Sequence, residues 1–178
     1  MSMDTNIQAL VGRSLEDLFA YACAMEQEAA RRYAQLTKIM VQHGNPEVAQ
    51  LFRRLECIEA MHSTSVETAA RESRVVISAP SAVIGLGLAG AEVADFEDMH
   101  YLHRPRQALE LARQFEQRAV QFYDELARHT ERVDVRAAAY RLADEERSHV
   151  RELDRWLARY PQVEDGWDED PDPVVELE

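Results

Sequence analysis

Four glutamates and two histidines recur in the sequence at spacings that suit the binding of two metal ions. They are Glu26, Glu59 and His62 in the first half of the chain, and Glu116, Glu146 and His149 in the second half. In each half, a glutamate is followed about thirty residues later by a Glu-x-x-His pair. Carboxylates and imidazoles in this ratio favour iron or manganese, whereas zinc sites hold fewer carboxylates or some thiolate. The residue types therefore predict a dinuclear, carboxylate-bridged metal site.

The spacing within each Glu-x-x-His pair indicates how the ligands would be arranged. Residues three apart on a helix lie on one face, so the two members of a pair can reach a common metal. We expect the glutamates of the two pairs, Glu59 and Glu146, to bridge the metals. Glu26 and Glu116 would each bind one metal from a neighbouring helix.

Two tyrosines, Tyr33 and Tyr123, lie two helical turns after Glu26 and Glu116. Two interpretations stay open for them. Their hydroxyls would either hydrogen-bond a ligand carboxylate and lie close to the reacting centre, or belong to ordinary core tyrosines whose hydroxyls are satisfied elsewhere.

Other residues of the same chemical types are expected to have no ligand role. Cys23 precedes the first glutamate by one turn and is expected to be a buried, unreactive thiol, and Cys57 should face away from the site. A third Glu-x-x-His sequence, Glu97 to His100, has no counterpart in the other half of the chain. We expect it to lie on the surface or to form a local salt bridge.

The ligands require four long helices to position them. Capping, proline and glycine signals predict helices at about 14–43, 46–74, 105–129 and 134–159, with a short helix near 94–102 in the long connection. Ser14 with Asp17 forms a near capping box, and Asn45-Pro46 is a strong signal for a new helix. All six candidate ligands fall on the apolar stripes of these helices, which marks them as inward-facing.

The two halves form an internal repeat of two antiparallel helical hairpins joined by a crossover of about thirty residues. This predicts an all-α, ferritin-like four-helix bundle. We expect an N-terminal segment at 1–13, the bundle at 14–160, and an acidic, disordered tail at 161–178. Four carboxylates in an apolar core would each cost several kcal/mol without compensation. Two divalent cations would neutralise them, and the stripes carry no arginine that would do so.

Charge and cysteine content exclude several functional classes. The net charge is −13, and residues 164–178 carry eight acids and no base. This argues against nucleic acid or an anionic membrane as a partner. Two cysteines without a CxxC motif exclude a disulfide framework. In the absence of a signal sequence or a long apolar stretch, we expect a cytoplasmic protein.

The pattern resembles the rubrerythrin branch of the ferritin-like di-iron carboxylate superfamily over about residues 14–159. The resemblance rests on a Glu with a Tyr two turns later in helices one and three, and on Glu-x-x-His in helices two and four. It implies that Glu26 and Glu116 are terminal ligands and that Glu59 and Glu146 bridge. It also implies that His62 and His149 supply the imidazoles.

Two departures from the family pattern affect the expected chemistry. Typical rubrerythrins carry a rubredoxin-like domain with two CxxC pairs, which this sequence lacks, so electrons would come from another protein. They also carry a second glutamate three residues after the helix-three ligand, where this chain has Ala119. We therefore expect His62 to stay bound in both oxidation states, which gives a more symmetric site.

The resemblance favours a di-iron oxidoreductase that reduces hydrogen peroxide or dioxygen with electrons from an external donor, in the defence against oxidative stress. The cofactor would be two iron ions, with manganese as the alternative metal and a manganese catalase as a narrower rival. A second hypothesis is a ferroxidase or an iron storage or delivery protein. A third is a metal-free helical interaction module. By resemblance, a homodimer is expected.

Overall fold

The computed structural model describes residues 5–77 and 104–161, which form five helices. They are α1 (Thr5–Leu10), α2 (Leu15–Gln42), α3 (Pro46–Glu72), α4 (Pro105–His129) and α5 (Val133–Leu157). The described residues contain no strand, so the predicted all-α bundle is confirmed. The predicted short helix near 94–102, the Glu97 to His100 motif and the acidic tail lie outside the described residues. No helix in the described ranges is long and apolar enough to cross a membrane.

The first hairpin begins and turns where the local sequence requires. The Ser14 hydroxyl accepts a hydrogen bond from the Asp17 amide at 3.1 Å, and the Asp17 carboxylate accepts one from the Ser14 amide at 3.0 Å. This is the predicted capping box. At the turn, Gly44 adopts a φ of +70°, and Asn45 accepts a hydrogen bond from the Val48 amide at 3.3 Å. Only three residues separate α2 from α3, so the two helices pack antiparallel.

Hydrogen bonds hold α4 and α5, the helices of the second hairpin, together at both ends. Residues 130–132 join α4 to α5, and Arg136 donates a hydrogen bond to the Thr130 carbonyl at 2.7 Å across this turn. At the other end, Arg106 near the start of α4 donates to the carbonyls of Leu157 and Tyr160, at 3.3 and 2.9 Å. The Leu157 carbonyl also accepts from the Tyr160 amide at 3.1 Å in the final turn, and Tyr160 lies beyond the end of the helix. The contact therefore caps α5, two residues earlier than the sequence predicts.

The bundle core is divided into two apolar clusters with the candidate ligands between them. One cluster holds the first half of α2, the end of α3, the end of α4 and the start of α5, with Tyr21 stacked on Phe122 at 5.1 Å. The other holds the opposite ends of the same helices, with Tyr33 stacked on Phe52 at 5.9 Å. The predicted stripes are therefore buried as expected. The ligands lie in a single polar layer across the middle of the bundle.

The short helix α1 was not predicted, although it contributes to the first cluster. Ile7 and Leu10 are buried there, and α1 lies against α4. Six residues carry too little periodic signal to indicate a helix, and its packing depends on residues more than a hundred positions away. This is tertiary stabilisation of a segment that would not be helical alone.

Candidate metal centre

The first candidate site joins the middle of α2 to the middle of α3. His62 directs Nδ1 toward Glu59 Oε2 at 3.2 Å and toward Glu26 Oε2 at 3.6 Å. The candidate ligand atoms of these three residues all lie within 4.8 Å of one another. Both members of the Glu-x-x-His pair therefore reach the same point, as their three-residue spacing on a helix predicts.

The second candidate site repeats this arrangement between α4 and α5. His149 Nδ1 lies 2.8 Å from Glu146 Oε2 and 3.5 Å from Glu116 Oε2. Again, the three ligand atoms lie within 4.8 Å of one another. The same ring nitrogen faces the carboxylates in both halves, so the internal repeat extends to the orientation of the side chains.

The two triads meet through their histidines. The rings of His62 and His149 stack face to face, with centroids 3.5 Å apart and planes 3° from parallel. A narrow cavity of about 20 Å³ touches both triads, because Glu59, Glu116 and His149 all line it. All six sequence-predicted ligands are therefore brought together in one cluster.

The carboxylates of the cluster are deeply buried, and this alters their protonation. Glu26, Glu59, Glu116 and Glu146 are between 2 and 6 % exposed. Burial raises the pKa of Glu59, and the nearby Glu116 carboxylate adds to the rise, although the hydrogen bond to His62 opposes it. Burial also raises the pKa of Glu146 to about 8, against the opposing hydrogen bond to His149. Without a cation, the cluster holds protons on carboxyl groups that would otherwise be ionised at neutral pH.

Burial and hydrogen bonding have opposite effects on the pKa of His149, the histidine of the second triad. Burial lowers the pKa of His149, but its hydrogen bonds to Glu116 and Glu146 outweigh this and raise the pKa to about 10. An imidazolium therefore balances part of the buried negative charge when no metal is bound. A divalent cation between the same atoms would take over this role.

Arginines near the cluster are engaged elsewhere. Arg31 and Arg32 both bind Glu28 on the surface of α2. Arg147 follows Glu146 directly but binds Asp124 at 2.5 Å and Asp144 at 2.6 Å. The buried carboxylates thus depend on the two histidines, on protons or on metal ions for their neutralisation.

The donor set fits two divalent metal ions. Four carboxylates and two neutral imidazoles give a neutral site with two such ions, which makes the burial tolerable. The oxygen-rich, thiolate-free composition suits iron or manganese. Cys23 is buried with Sγ 3.4 Å from Ser63 Oγ, and Gln27 donates to this sulfur at 3.3 Å. This polar contact lies beside the first triad, and Cys57 is exposed, as expected.

Tyr33 and Tyr123 lie in different apolar clusters of the bundle. Tyr33 is buried in the second apolar cluster, where it stacks on Phe52. Tyr123 is fully buried in the first cluster, with its ring edge-on to Phe122 at 5.2 Å. Both therefore sit next to the polar layer, on opposite sides of it. Their hydrogen bonding to the ligands stays a prediction.

One residue that the sequence reasoning missed is Glu152. This exposed side chain lines the cavity that also touches Glu59, Glu116 and His149. The signal was available, because Glu152 follows His149 at the same three-residue spacing on α5. The matching position on α3 is Ser65. The second half thus has a carboxylate at the cavity that the first half lacks.

Comparisons with known proteins agree with this geometry. Residues 17–83 match the sequence model of the rubrerythrin family, a range that includes α2, α3 and the first triad. Over this range, the chain resembles rubrerythrins. It also resembles the crystal structure of an uncharacterised conserved protein from Magnetospirillum magnetotacticum MS-1, at 28% identity and a TM-score of 0.60. That similarity covers 85% of this chain and 99% of the other. No curated protein shows significant similarity to this chain.

Replacing a bridging candidate should remove metal without unfolding the bundle. We expect Glu59→Ala to lose at least one of two bound metals, because its carboxylate contacts His62 and its side chain lines the cavity shared with Glu116 and His149. Helical content should persist, since removing a buried carboxylate from the metal-free protein relieves a desolvation cost. Metal content after reconstitution and circular dichroism measure the two effects.

The matched control is Glu56→Ala, one turn earlier on α3 and outside the buried stripe. It should keep both metals at wild-type affinity. If Glu59→Ala also kept both, the assignment of Glu59 as a ligand would be wrong.

Metal binding should strengthen as the pH rises. The raised pKa values of Glu146 and His149 mean that protons compete with metal up to and beyond pH 8. The same protons support the metal-free fold at low pH, and this support is lost as the pH rises through the folded-state values. Between pH 6.5 and 8, Tm of the metal-free protein should therefore fall, and the rise in Tm on adding Co²⁺ should grow.

Thermal unfolding with and without Co²⁺ at several pH values measures both trends. Binding should also release protons, detectable by calorimetry in buffers of different ionisation enthalpy. A Co²⁺-induced shift that is the same at every pH, without proton release, would contradict the account.

Proposed function

We propose that the protein is a di-iron oxidoreductase of the rubrerythrin type, which reduces hydrogen peroxide or dioxygen with electrons from an external donor protein. One observation carries the proposal: two buried Glu-Glu-His triads on four different helices meet through stacked imidazoles at the bundle centre. Structural zinc sites in proteins are closed by thiolates and imidazoles, whereas carboxylates with imidazoles suit iron or manganese. A carboxylate-rich pair of sites is instead suited to redox chemistry.

In this proposal, Glu26, Glu59 and His62 hold one iron, and Glu116, Glu146 and His149 hold the other. Glu59 and Glu146 would be the ligands that both ions share. The bound ferrous pair would supply the two electrons that, with two protons, convert one hydrogen peroxide into two waters. The external donor protein would then return two electrons, one per iron. We place this activity in the cytoplasm, as a response to oxidative stress.

The residues around the cavity support a small oxidant as substrate. At about 20 Å³, the cavity has room for a molecule the size of water or peroxide, and its walls include the apolar side chains of Leu55, Ile58 and Trp156. A cavity of this volume has no room for a larger organic molecule.

A ferroxidase or iron storage or delivery role is the second candidate. It is favoured by Glu152, an exposed carboxylate that reaches the same cavity as the ligands and could receive ferrous ions from solution. In that case iron is substrate rather than cofactor. A metal-free interaction module would have to rely on bound protons and the His149 imidazolium to balance four buried carboxylates. A manganese catalase would use the same ligands.

Stoichiometry and turnover separate these functions. The protein is loaded anaerobically with Fe²⁺, and peroxide is then added with or without an excess of reduced methyl viologen. The proposed enzyme should keep two irons per chain and consume many equivalents of peroxide only when the reductant is present. No dioxygen should be released.

Each alternative gives a different result in the same experiment. Uptake of iron well beyond two per chain, without reductant-dependent turnover, would favour the ferroxidase. Dioxygen release from peroxide by the manganese-loaded protein, without reductant, would favour a catalase. The variant Glu146→Ala serves as the control and should lose turnover in every case.

A further inference from the structure

Ion pairs join α4 to α5 on both sides of the second triad. Arg147 follows the ligand Glu146 directly, and its guanidinium binds Asp124 of α4 at 2.5 Å. On the other side of the ligand layer, Arg113 of α4 binds Asp154 of α5, also at 2.5 Å. The two helices that carry the second triad are therefore linked close to their ligands as well as at their ends.

The internal repeat shows what the first hairpin has at the matching positions. When the two halves are aligned on their ligands, neither matching position of the first hairpin holds an arginine. The matching residues are Ala34 and Ala60 in place of the first ion pair, and Cys23 and Glu67 in place of the second. Two alanines, or a cysteine with a glutamate, cannot form a salt bridge. The links between α4 and α5 therefore have no counterpart at these positions of α2 and α3.

The two triads also differ in how closely their members approach one another. In the second triad, His149 Nδ1 lies 2.8 Å from Glu146 Oε2 and 3.5 Å from Glu116 Oε2. In the first triad, the corresponding distances from His62 Nδ1 are 3.2 and 3.6 Å. Both distances are shorter in the second triad. The more compact triad is thus the one whose helices are linked by ion pairs.

Of the contacts that Arg147 makes, the one with Asp124 is best suited to fix α5 relative to α4. The side chain of Asp124 is only 17 % exposed, and it belongs to the neighbouring helix. Arg147 also binds Asp144, but that side chain is 77 % exposed and lies three residues away on the same helix. Water and salt weaken exposed ion pairs more than sheltered ones. The Arg147–Asp124 pair is therefore the main link on its side of the triad.

We propose that these ion pairs make the second triad the tighter of the two metal positions, so that it fills first and the first triad holds the metal that exchanges. Ligands that are already held in place lose less freedom when a metal binds, which strengthens binding. Arg147 and Asp124 are positioning residues in this scheme, because they act through the two helices and do not bind the metal. The proposal rests on the metal centre alone, whichever reaction the centre performs.

The charge of Arg147 allows positioning to be distinguished from simple electrostatics. Removing a cation close to the ligands reduces the repulsion of an incoming metal ion, so electrostatics alone predicts stronger binding. Loss of positioning predicts weaker binding. For Asp124, both effects weaken binding. If the two substitutions change the affinity in the same direction, despite their opposite changes in charge, positioning is the cause.

Each metal position is measured in a background that lacks the histidine of the other. His62→Ala keeps the second triad intact, and His149→Ala keeps the first. Titration of the full chain with Co²⁺, in competition with a coloured chelator, should show binding about tenfold tighter in His62→Ala than in His149→Ala. Addition of Arg147→Ala or Asp124→Asn to the His62→Ala background should weaken binding by about tenfold. In the His149→Ala background, the same substitutions should change the affinity by less than about twofold.

Control variants separate the ion pair from its charge and from folding. Arg151→Ala removes the same charge from an exposed position one turn later on α5, and it should not weaken binding. Arg147→Lys keeps the charge opposite Asp124 and should restore part of the lost affinity. Circular dichroism establishes that each variant is folded. In the reverse experiment, Ala34→Asp with Ala60→Arg introduces the pair into the first hairpin, and it should strengthen Co²⁺ binding in the His149→Ala background.

Equal affinities in the two histidine backgrounds, or tighter binding by the first triad, would overturn the proposal. So would an Arg147→Ala variant that binds Co²⁺ as tightly as its background or more tightly, or an equal loss in Arg151→Ala. Absence of Co²⁺ binding in the folded wild-type chain would overturn the metal centre and this proposal with it. If the Co²⁺ results are as expected and the iron-loaded protein does not turn over peroxide, only the proposed reaction is contradicted.

Discussion

The burial of four carboxylates in one layer of an apolar bundle is the constraint on which the rest of the structure depends. Transfer of each ionised carboxylate from water costs several kcal/mol unless an opposite charge or a proton accompanies it. Apolar clusters on both sides of the layer prevent the layer from relaxing toward water. The histidines are placed to compensate, and the raised pKa of Glu146 shows that protons complete the compensation when no cation is bound. Metal binding then replaces these protons with cations, while the surrounding helices keep their positions.

The four helices that carry the ligands form a rigid support. The ligands lie near the helix centres, and hydrogen bonds hold the helix ends. Ser14 and Asn45 cap the helices of the first hairpin, and Arg106 holds the end of the second. Each Glu-x-x-His pair is then oriented by helix geometry alone. The bundle supplies the remaining glutamates from neighbouring helices. Positioning on helices rather than loops gives the precision that a dinuclear site needs.

The parts of the structure that depend on local signals could be predicted from the sequence. Caps, proline positions and apolar stripes gave four helices within about two residues, and the ligand layer followed because all six ligands lie on those stripes. The parts that depend on packing between distant segments could not be predicted. The helix α1 is stabilised by contact with α4, and Glu152 joins the cavity only when α3, α4 and α5 come together. The stacking of His62 on His149 has no sequence signal at all.

The two halves of the molecule have the same interior and different surfaces. Glu59 and His62 on α3 correspond to Glu146 and His149 on α5, whereas Ser65 and Met61 correspond to Glu152 and Ser148. The interior is constrained by the charge balance of the site, since four carboxylates together match the charge of two divalent cations. The surface has no such constraint. It can therefore provide a carboxylate at the cavity on one helix and a serine at the matching position on the other.

The most direct test of the central claim is anomalous X-ray scattering at the iron edge from crystals of the ferrous-reconstituted protein. The account predicts two peaks within the central layer, one held by Glu26, Glu59 and His62 and the other by Glu116, Glu146 and His149. A fully folded protein with no peak in this layer, or with iron bound only at surface carboxylates, would contradict it.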